Sequence, residues 1–224
     1  MTPNLKVTGN NESVSRRYRF CQIFAWGLSS VVVVIAVVAW GSHISWHLST
    51  LNSYQVFPLL GLLAFSIMWS HYVAYLLRRL LGLKPQALSQ YFKITSFAVL
   101  ALICLHPGLL IYQLFRDGSG LPPGSYEHYV APGLAWVTLL GTASLLVFLA
   151  YELRRKFGKK PWWQYVQILN DVAMLAIVYH ALRLGRDVQA GWFHGMWLFY
   201  GSVLVLVMGY NYLKKYTTVL TPRR

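Results

Sequence analysis

Six stretches of this 224-residue chain are each long and apolar enough to cross a lipid bilayer as a helix. A hydrocarbon core about 30 Å thick requires roughly 20 apolar residues in helical conformation. The chain has 56% hydrophobic and only 12% charged residues, whereas soluble domains carry about 25% charged residues. We therefore predict an all-α membrane protein with six transmembrane helices in one bundle. The predicted spans are residues 20–40, 54–77, 94–115, 130–151, 162–182 and 192–213.

Little of the chain lies outside these spans. Residues 1–19 are predicted to form an N-terminal tail and residues 214–224 a basic C-terminal tail. The first apolar stretch exceeds the roughly 7–15 residues of a signal-peptide core, so we interpret it as a retained first helix. Two cysteines are too few for a disulfide scaffold. The compact chain and short tails favour a bacterial inner membrane.

The basic residues predict the orientation of the bundle. Seventeen of the 20 Lys and Arg residues fall in the N-terminal tail, the second and fourth connections and the C-terminal tail. By the positive-inside rule, both termini face the cytoplasm. The net charge of +14 is therefore a topology signal that would also meet anionic lipid headgroups, and no nucleic-acid partner is needed to explain it. The opposite loops hold only Arg116, Arg183 and Arg186.

Ionisable side chains inside a membrane span are costly, and each is a candidate functional residue. Four of the seven histidines lie in or beside the outer loops, where solvation accounts for their presence. The residues within the spans that require an explanation are His71, His106, Asp171 and His180.

His106 and His180 lie on the third and fifth helices. His106 is about 20 Å from the cytoplasmic edge, in the outer half of the bilayer. Extending the fifth helix through Arg186 brings His180 to a similar depth. Two neutral imidazoles at matched depth supply the two axial ligands of a b-type haem, a group suited to electron transfer. The alternative is that two unrelated histidines form hydrogen bonds across helices.

His71 and Asp171 lie in the cytoplasmic halves of their helices, with His71 roughly 10 Å shallower than His106. We expect neither to share a haem with His106. They are candidates for a flavin, quinone or proton site, and the alternative is an interhelical structural pair. Arg183, one turn beyond His180, is a candidate partner for a haem propionate. Its alternative role is that of an interfacial arginine.

Three motifs in this order resemble the ferric-reductase-like transmembrane family. They are RRLLGL (78–83), LHP (105–107) and RRKFGKKPWWQ (154–164), and the resemblance covers about residues 54–213. That family includes ferric reductases, NADPH oxidases and the haem-binding membrane subunit of the bacterial methionine-sulfoxide reductase system. The di-haem cytochrome b family that uses ascorbate is a poorer fit, because the fourth helix here has no histidine.

The resemblance implies a single haem b. Two-haem members of the family carry a second histidine about fourteen residues before the first on the third helix, and about thirteen before on the fifth. Phe92 and Gln167 occupy those positions in this sequence. The inner pair is therefore missing, and the outer pair, His106 and His180, is kept as the two axial ligands of the haem iron.

These features predict a membrane electron-transfer protein, the haem subunit of an oxidoreductase. The tail after residue 213 is too short for the family's flavin and nicotinamide domains. We therefore expect the electrons to come from a separate cytoplasmic flavin reductase or a membrane quinol, and to pass to an acceptor on the outer face. The alternative is a haem-free six-helix transporter or assembly factor, in which the intramembrane histidines and Asp171 form a proton or ion path.

Overall fold

The computed structural model of the protein describes residues 6–153, 157–189 and 191–220, without the side chains of residues 6–13, 50, 152 and 216–220. Within these ranges every regular element is helical. Several residues of the predicted basic face, among them Arg154, Arg155 and Lys156, lie outside the described residues. The α-helices are α1 (Lys6–His43), α2 (Ser53–Leu80), α3 (Ser89–Arg116), α4 (Ala135–Glu152), α5 (Trp163–Leu184) and α6 (Gly191–Leu220).

Five of these helices, α1, α2, α3, α5 and α6, are long and apolar enough to cross a membrane, and α4 contains a shorter apolar helix over Ala135–Tyr151. The protein is therefore a multi-pass membrane protein, and the predicted all-α class is confirmed. The count of six crossings and the orientation of the termini stay predictions.

Two predicted helix boundaries are wrong, each because of a local backbone constraint. The fourth helix begins at Ala135 and not at Val130, since Pro132 has no N–H to donate and Gly133 has a φ of +82°. The fifth helix ends at Leu184 and does not continue through Arg186. Gly185 turns the chain so tightly that a Cβ there would clash with the Ala181 carbonyl oxygen.

Other helices extend past the predicted spans. The first helix begins at Lys6 instead of residue 20, and α6 continues to Leu220, beyond the predicted end at residue 213. Hydropathy locates the part of a helix that suits lipid, while the backbone hydrogen bonds of a helix continue into polar sequence on either side.

The chain reversals bring the ends of successive helices together at one end of the bundle, which we call the Tyr54 end. The Tyr54 hydroxyl, at the start of α2, donates to Asp117 just after α3 at 2.7 Å. The Tyr54 ring also stacks on Tyr129, which precedes α4, with centroids 5.7 Å apart. His43, the last residue of α1, lies 3.4 Å from Asp187 between α5 and α6.

The opposite end, which we call the Arg78 end, joins the N-terminal part of α1 to the connection between α2 and α3. The Tyr18 hydroxyl donates to the carbonyl of Gln86 at 3.1 Å, and Gln22 Nε2 donates to the carbonyl of Ala87 at 3.2 Å. Arg78, although charged, is 8% exposed and donates to the carbonyl of Leu83 at 3.1 Å. Backbone carbonyls thus accept hydrogen bonds from side chains of both α1 and α2 at this end.

Helix α2 is the centre of the bundle. It packs closely against α1 and α3, and it also contacts α6, while α4 and α5 form a second closely packed pair. Its contact with α6 is aromatic: the Phe65 and Trp197 rings lie 4.3 Å apart, and Trp69 Nε1 donates to the carbonyl of Tyr200 at 3.0 Å. Offset aromatic contacts and an indole donor that reaches a carbonyl stabilise this interface.

A buried triangle of hydroxyls joins α1, α2 and α3. The oxygens of Ser29, Ser70 and Tyr91 lie within 2.7–2.9 Å of one another, and all three side chains are at most 6% exposed. Ser70 also lies 2.7 Å from the carbonyl of Ile67. The triangle satisfies every hydroxyl without water, which fixes the register of three helices at once.

We expect Tyr91→Phe to lower the free energy of unfolding by about 1 kcal/mol, because Ser29 and Ser70 lose a partner inside an apolar environment. Denaturant titration in mixed micelles measures this change. Tyr112→Phe is the matched control, since Tyr112 lies on the same helix and its side chain is 59% exposed. Equal destabilisation by both substitutions would show that the triangle contributes nothing.

Candidate functional site

The imidazole of His106 is held by a backbone carbonyl of the neighbouring helix. Its Nδ1 lies 2.7 Å from the carbonyl oxygen of Phe57 on α2, and the Phe57 ring lies 5.3 Å from the imidazole. A carbonyl oxygen only accepts hydrogen bonds. The proton of the neutral ring is therefore on Nδ1, and the lone pair is on Nε2.

His180 repeats this arrangement on the other closely packed helix pair. Its Nδ1 lies 2.8 Å from the carbonyl oxygen of Val137 on α4. By the same reasoning Nδ1 carries the proton and Nε2 carries the lone pair. In histidines that ligate metals, the other ring nitrogen is commonly held in this way by a backbone carbonyl, which fixes the tautomer and the ring orientation.

A glycine makes each of these contacts possible. A Cβ on Gly61 would lie 2.8 Å from Cε1 of His106, and a Cβ on Gly141 would lie 2.7 Å from Cε1 of His180. Real Cβ atoms do not approach this closely, so both rings occupy space that any other residue would fill. Each glycine stands four residues after the carbonyl in use, where its own N–H points at that same oxygen in an α-helix. The missing side chain leaves the second lone pair of the oxygen open to the histidine.

Sequence analysis did not identify Gly61 and Gly141. The signal is a short repeat, because Phe57–Gly61 reads FPLLG and Val137–Gly141 reads VTLLG. A third Leu-Leu-Gly at 80–82 contacts no histidine, so the repeat is not diagnostic by itself. What distinguishes the first two is that the following helix in each pair carries a histidine at the matching depth, and only the folded structure shows that match.

The two imidazoles are close enough to interact electrostatically. Neither Nε2 has a hydrogen-bond partner among the described residues, and neither is a fully enclosed atom. Two neutral rings that both donate through Nδ1 present only lone pairs to each other, so they cannot form a hydrogen bond between themselves. Each histidine does form a hydrogen bond across helices, to the carbonyl of Phe57 or Val137, which is the contact that the alternative interpretation predicts. Each Nε2 lone pair remains available to an electron-pair acceptor.

His71 belongs to a different group of residues. Its Nε2 lies 2.7 Å from the hydroxyl oxygen of Thr95, and Thr95 donates its only hydrogen to the carbonyl of Tyr91. His71 therefore donates through Nε2. The ring is also packed edge-on against Phe92, with centroids 5.2 Å apart. Phe92, the position at which the resemblance implies a missing haem ligand, thus packs against His71.

Asp171 and His71 are not joined by a hydrogen bond. Both carboxylate oxygens of Asp171 accept from tyrosines, Tyr72 on α2 and Tyr212 on α6, each at 2.7 Å. Tyr72 follows His71 directly in the chain, and successive residues of a helix point about 100° apart. His71 and Asp171 therefore belong to separate hydrogen-bond networks, and each bonds to other helices, His71 to α3 and Asp171 to α2 and α6.

Three arginines mark the Tyr54 end, where Arg116, Arg183 and Arg186 are all exposed. Arg183 lies in the last turn of α5, one turn beyond His180. Its own carbonyl accepts a hydrogen bond from Gln189 Nε2 at 2.9 Å, which ties the helix end to the loop that follows. The position of Arg183 fits either of the two roles that the sequence leaves open.

Comparisons with protein-family models, with curated proteins and with solved structures find no match to this chain. Among the residues that the structure describes, no group of three or more His, Cys, Asp or Glu side chains could hold a metal ion. A bis-histidine haem needs only two protein ligands. Its fit therefore depends on the two carbonyl-held imidazoles and their Nε2 atoms.

Two aspartates at the Tyr54 end predict opposite pH dependences. Burial raises the pKa of Asp187, while His43 and Arg186 oppose the shift, and its side chain is only 5% exposed. Hydrogen bonds from Tyr54 and Gln113 lower the pKa of the exposed Asp117. An aspartate whose pKa is raised on folding stabilises the fold fully at a pH below the usual aspartate pKa, near 4, and this stabilisation is lost as the pH rises. An aspartate whose pKa is lowered on folding gives a stabilisation that is lost as the pH falls.

We therefore expect Asp187→Asn to reduce the loss of stability as pH rises above about 4, and Asp117→Asn to reduce the loss at lower pH. Unfolding midpoints measured across this range report both effects, and each variant serves as the control for the other. If both substitutions changed the pH dependence of the unfolding midpoint in the same direction, the opposite pKa shifts assigned to Asp187 and Asp117 would be wrong.

Proposed function

We propose that this protein is a b-type haem membrane electron-transfer protein. In this proposal His106 and His180 are the axial ligands of one haem, and electrons pass from a cytoplasmic donor to an acceptor on the outer face. The protein would be the haem subunit of an oxidoreductase, related to the ferric-reductase-like family that its sequence motifs resemble.

The observation that carries the proposal is the matched geometry of the two imidazoles. Each Nδ1–H is committed to a backbone carbonyl, so each Nε2 is held as a lone-pair donor in a fixed orientation. Two such donors on different helices can bind an electron-pair acceptor. A bound haem supplies a six-coordinate iron that exchanges one electron and leaves no position for oxygen. The helix pairs α2–α3 and α4–α5 would then be joined across the cofactor.

The bundle supports an orientation with the Tyr54 end outside. The Arg78 end carries the described part of the basic face, including Arg78, Arg79 and Lys84, and the positive-inside rule assigns such a face to the cytoplasm. With α4 counted as a sixth crossing, both termini are cytoplasmic. We extend this to a bacterial inner membrane, where such a bundle separates a reducing cytoplasm from an outer compartment.

Aromatic contacts lead from His106 toward the proposed outer face. The ring of Phe57 lies 5.3 Å from His106 and 5.7 Å from Tyr129, and Tyr129 stacks on Tyr54 at the surface. This side of the bundle is the proposed exit toward the acceptor. Arg183, at the same end, is the proposed partner of a haem propionate.

The proposed donor acts from the opposite face. A separate flavin reductase would meet the basic cytoplasmic surface, for which an acidic partner or an anionic cofactor is complementary. A membrane quinol is the other candidate donor. We propose His71 and Asp171 as candidate residues for a flavin, quinone or proton site in the cytoplasmic half. They belong to two distinct hydrogen-bond networks.

We expect the purified protein, supplied with haem, to show a Soret band and a sharp α-band on reduction. Either His106→Ala or His180→Ala should abolish the bis-histidine spectrum, because one axial ligand is lost. His71→Ala is the control, since His71 Nε2 is committed to Thr95. Absorption spectra of oxidised and dithionite-reduced protein provide the measurement.

A wild-type protein that stays colourless after haem supplementation would refute the proposal and favour the haem-free transporter. Loss of the spectrum in His71→Ala, with an intact spectrum in His106→Ala, would show that the ligand assignment is wrong.

The glycine contacts give a second prediction. Gly61→Ala and Gly141→Ala should each weaken haem binding by about 10–100-fold, the usual cost of disturbing the group that orients a metal-bound histidine. Gly108→Ala is the matched control, because Gly108 lies two residues from His106 on α3 and a Cβ there meets nothing within 4 Å. Haem titration of the apoprotein measures the affinities. Full affinity in both variants would mean that the rings do not act as ligands in this conformation.

A further inference from the structure

A carboxylate inside the bundle is held by tyrosines from two other helices. The hydroxyl of Tyr72 on α2 lies 2.7 Å from Oδ1 of Asp171 on α5, and that of Tyr212 on α6 lies 2.7 Å from Oδ2. The chain contains only six acidic residues, and Asp171 is the one found within a described candidate span. The three helices thus converge on a single intramembrane acid.

A further side chain joins the hydrogen-bond network around Asp171. Asn170 Nδ2 donates to the Tyr72 hydroxyl oxygen at 3.2 Å, so the hydrogen of Tyr72 is directed to Asp171. Both oxygens of Asp171 therefore accept, as an ionised carboxylate does. No Lys or Arg of the described chain forms an ion pair with Asp171. The hydrogen-bond partners of Asp171 in the described chain are thus hydroxyl groups and not basic side chains.

Polar residues continue from Asp171 toward the Arg78 end. Arg79, two turns beyond Tyr72 on α2, donates to the side-chain oxygen of Asn211, which precedes Tyr212 on α6. Tyr151, near the end of α4, is close enough to Tyr72 to interact with it electrostatically. The titratable and charged groups around Asp171 are thus Tyr72 and Arg79 on α2, Tyr151 on α4 and Tyr212 on α6.

Asp171 and the proposed haem site lie on the same helix. Nine residues separate Asp171 from His180, about 13.5 Å along α5. Charges at this separation interact appreciably where the effective dielectric constant is low. An electron that arrives between His106 and His180 makes the ionised form of Asp171 more costly. A proton on Asp171 removes that cost.

We propose that Asp171 takes up a proton from the cytoplasmic side when an electron enters the His106–His180 site. In this step the Asp171 carboxylate would gain one proton from water and become a neutral carboxylic acid, while a haem held by His106 and His180 would supply the site that takes up one electron from the cytoplasmic donor. Both changes reverse when the electron leaves toward the outer face. The inference rests on the proposed function, and it assigns Tyr72 and Tyr212 as positioning residues that set the proton affinity of Asp171.

The measurement is the midpoint potential of the haem, followed by spectroelectrochemistry of the full-length protein in lipid nanodiscs over a range of pH. Linkage is reciprocal, so proton uptake on reduction requires the potential to fall as pH rises. We expect this fall in the wild type and its loss in Asp171→Asn. A structural role of Asp171 would change stability but would leave no pH dependence to lose.

Two further variants test the tyrosines. Tyr72→Phe and Tyr212→Phe each remove a hydrogen bond to Asp171, so the pH dependence of the potential should differ from that of the wild type. Tyr91→Phe is the matched control, since its hydroxyl bonds to Ser29 and Ser70 in the separate triangle. Its potential should follow that of the wild type at every pH.

A second measurement needs no substitution at Asp171. Infrared difference spectra of protein labelled with ¹³C-aspartate should show a protonated carboxyl band that appears on reduction. The chain has two other aspartates, Asp117 and Asp187, and the band should persist when both are replaced by Asn.

Each outcome is decisive. A wild-type potential that is independent of pH, an unchanged fall in Asp171→Asn, or loss of the infrared band in the Asp117/Asp187 double variant would overturn the inference while the haem proposal stands. A chain that binds no haem overturns both.

Discussion

The absence of water in the hydrocarbon core is the constraint on which the rest of this structure depends. A polar group there must find its partner within the protein, and backbone carbonyls of a helix are already used by their own helical N–H groups. His106 and His180 solve this problem in the same way. Each donates to a carbonyl whose second lone pair is uncovered because the residue four positions later, Gly61 or Gly141, has no side chain. The glycines thus determine where an imidazole can dock and which of its nitrogens stays open.

The same constraint divides the interior into separate polar networks. The triangle around Tyr91 joins α1 to α2 and α3, with His71 and Thr95 beside it. The network around Asp171 joins α5 to α2 and α6. Both meet on the central helix α2, where His71 and Tyr72 point in different directions from adjacent positions. Charge at one network therefore acts on the other only through space, while each imidazole of the candidate haem site has its own carbonyl.

Hydropathy and residue type were sufficient to predict the helical membrane class and to single out the three histidines that lie within apolar spans, His71, His106 and His180. Helix ends were harder to predict, because Val130 is as apolar as its neighbours and only the backbone of Pro132 and Gly133 excludes it from α4. The same reason applies to Gly185 at the end of α5. The inner half was predicted least well: His71 and Asp171 are the right chemical types, but no spacing in the sequence indicates that they take different partners.

The sequence by itself determined that the chain spans a membrane several times, because the transfer of about 20 consecutive apolar residues into lipid depends on composition and not on neighbours. It also determined which ionisable side chains need an explanation. Only the tertiary structure decided what those side chains do, because a tautomer is set by the atom that faces Nδ1, and an aspartate in lipid is stabilised by hydroxyls that arrive from distant parts of the chain. Phe57, Val137, Tyr72 and Tyr212 acquire these roles through helix packing, which brings each of them to a partner 41–99 positions away in the chain.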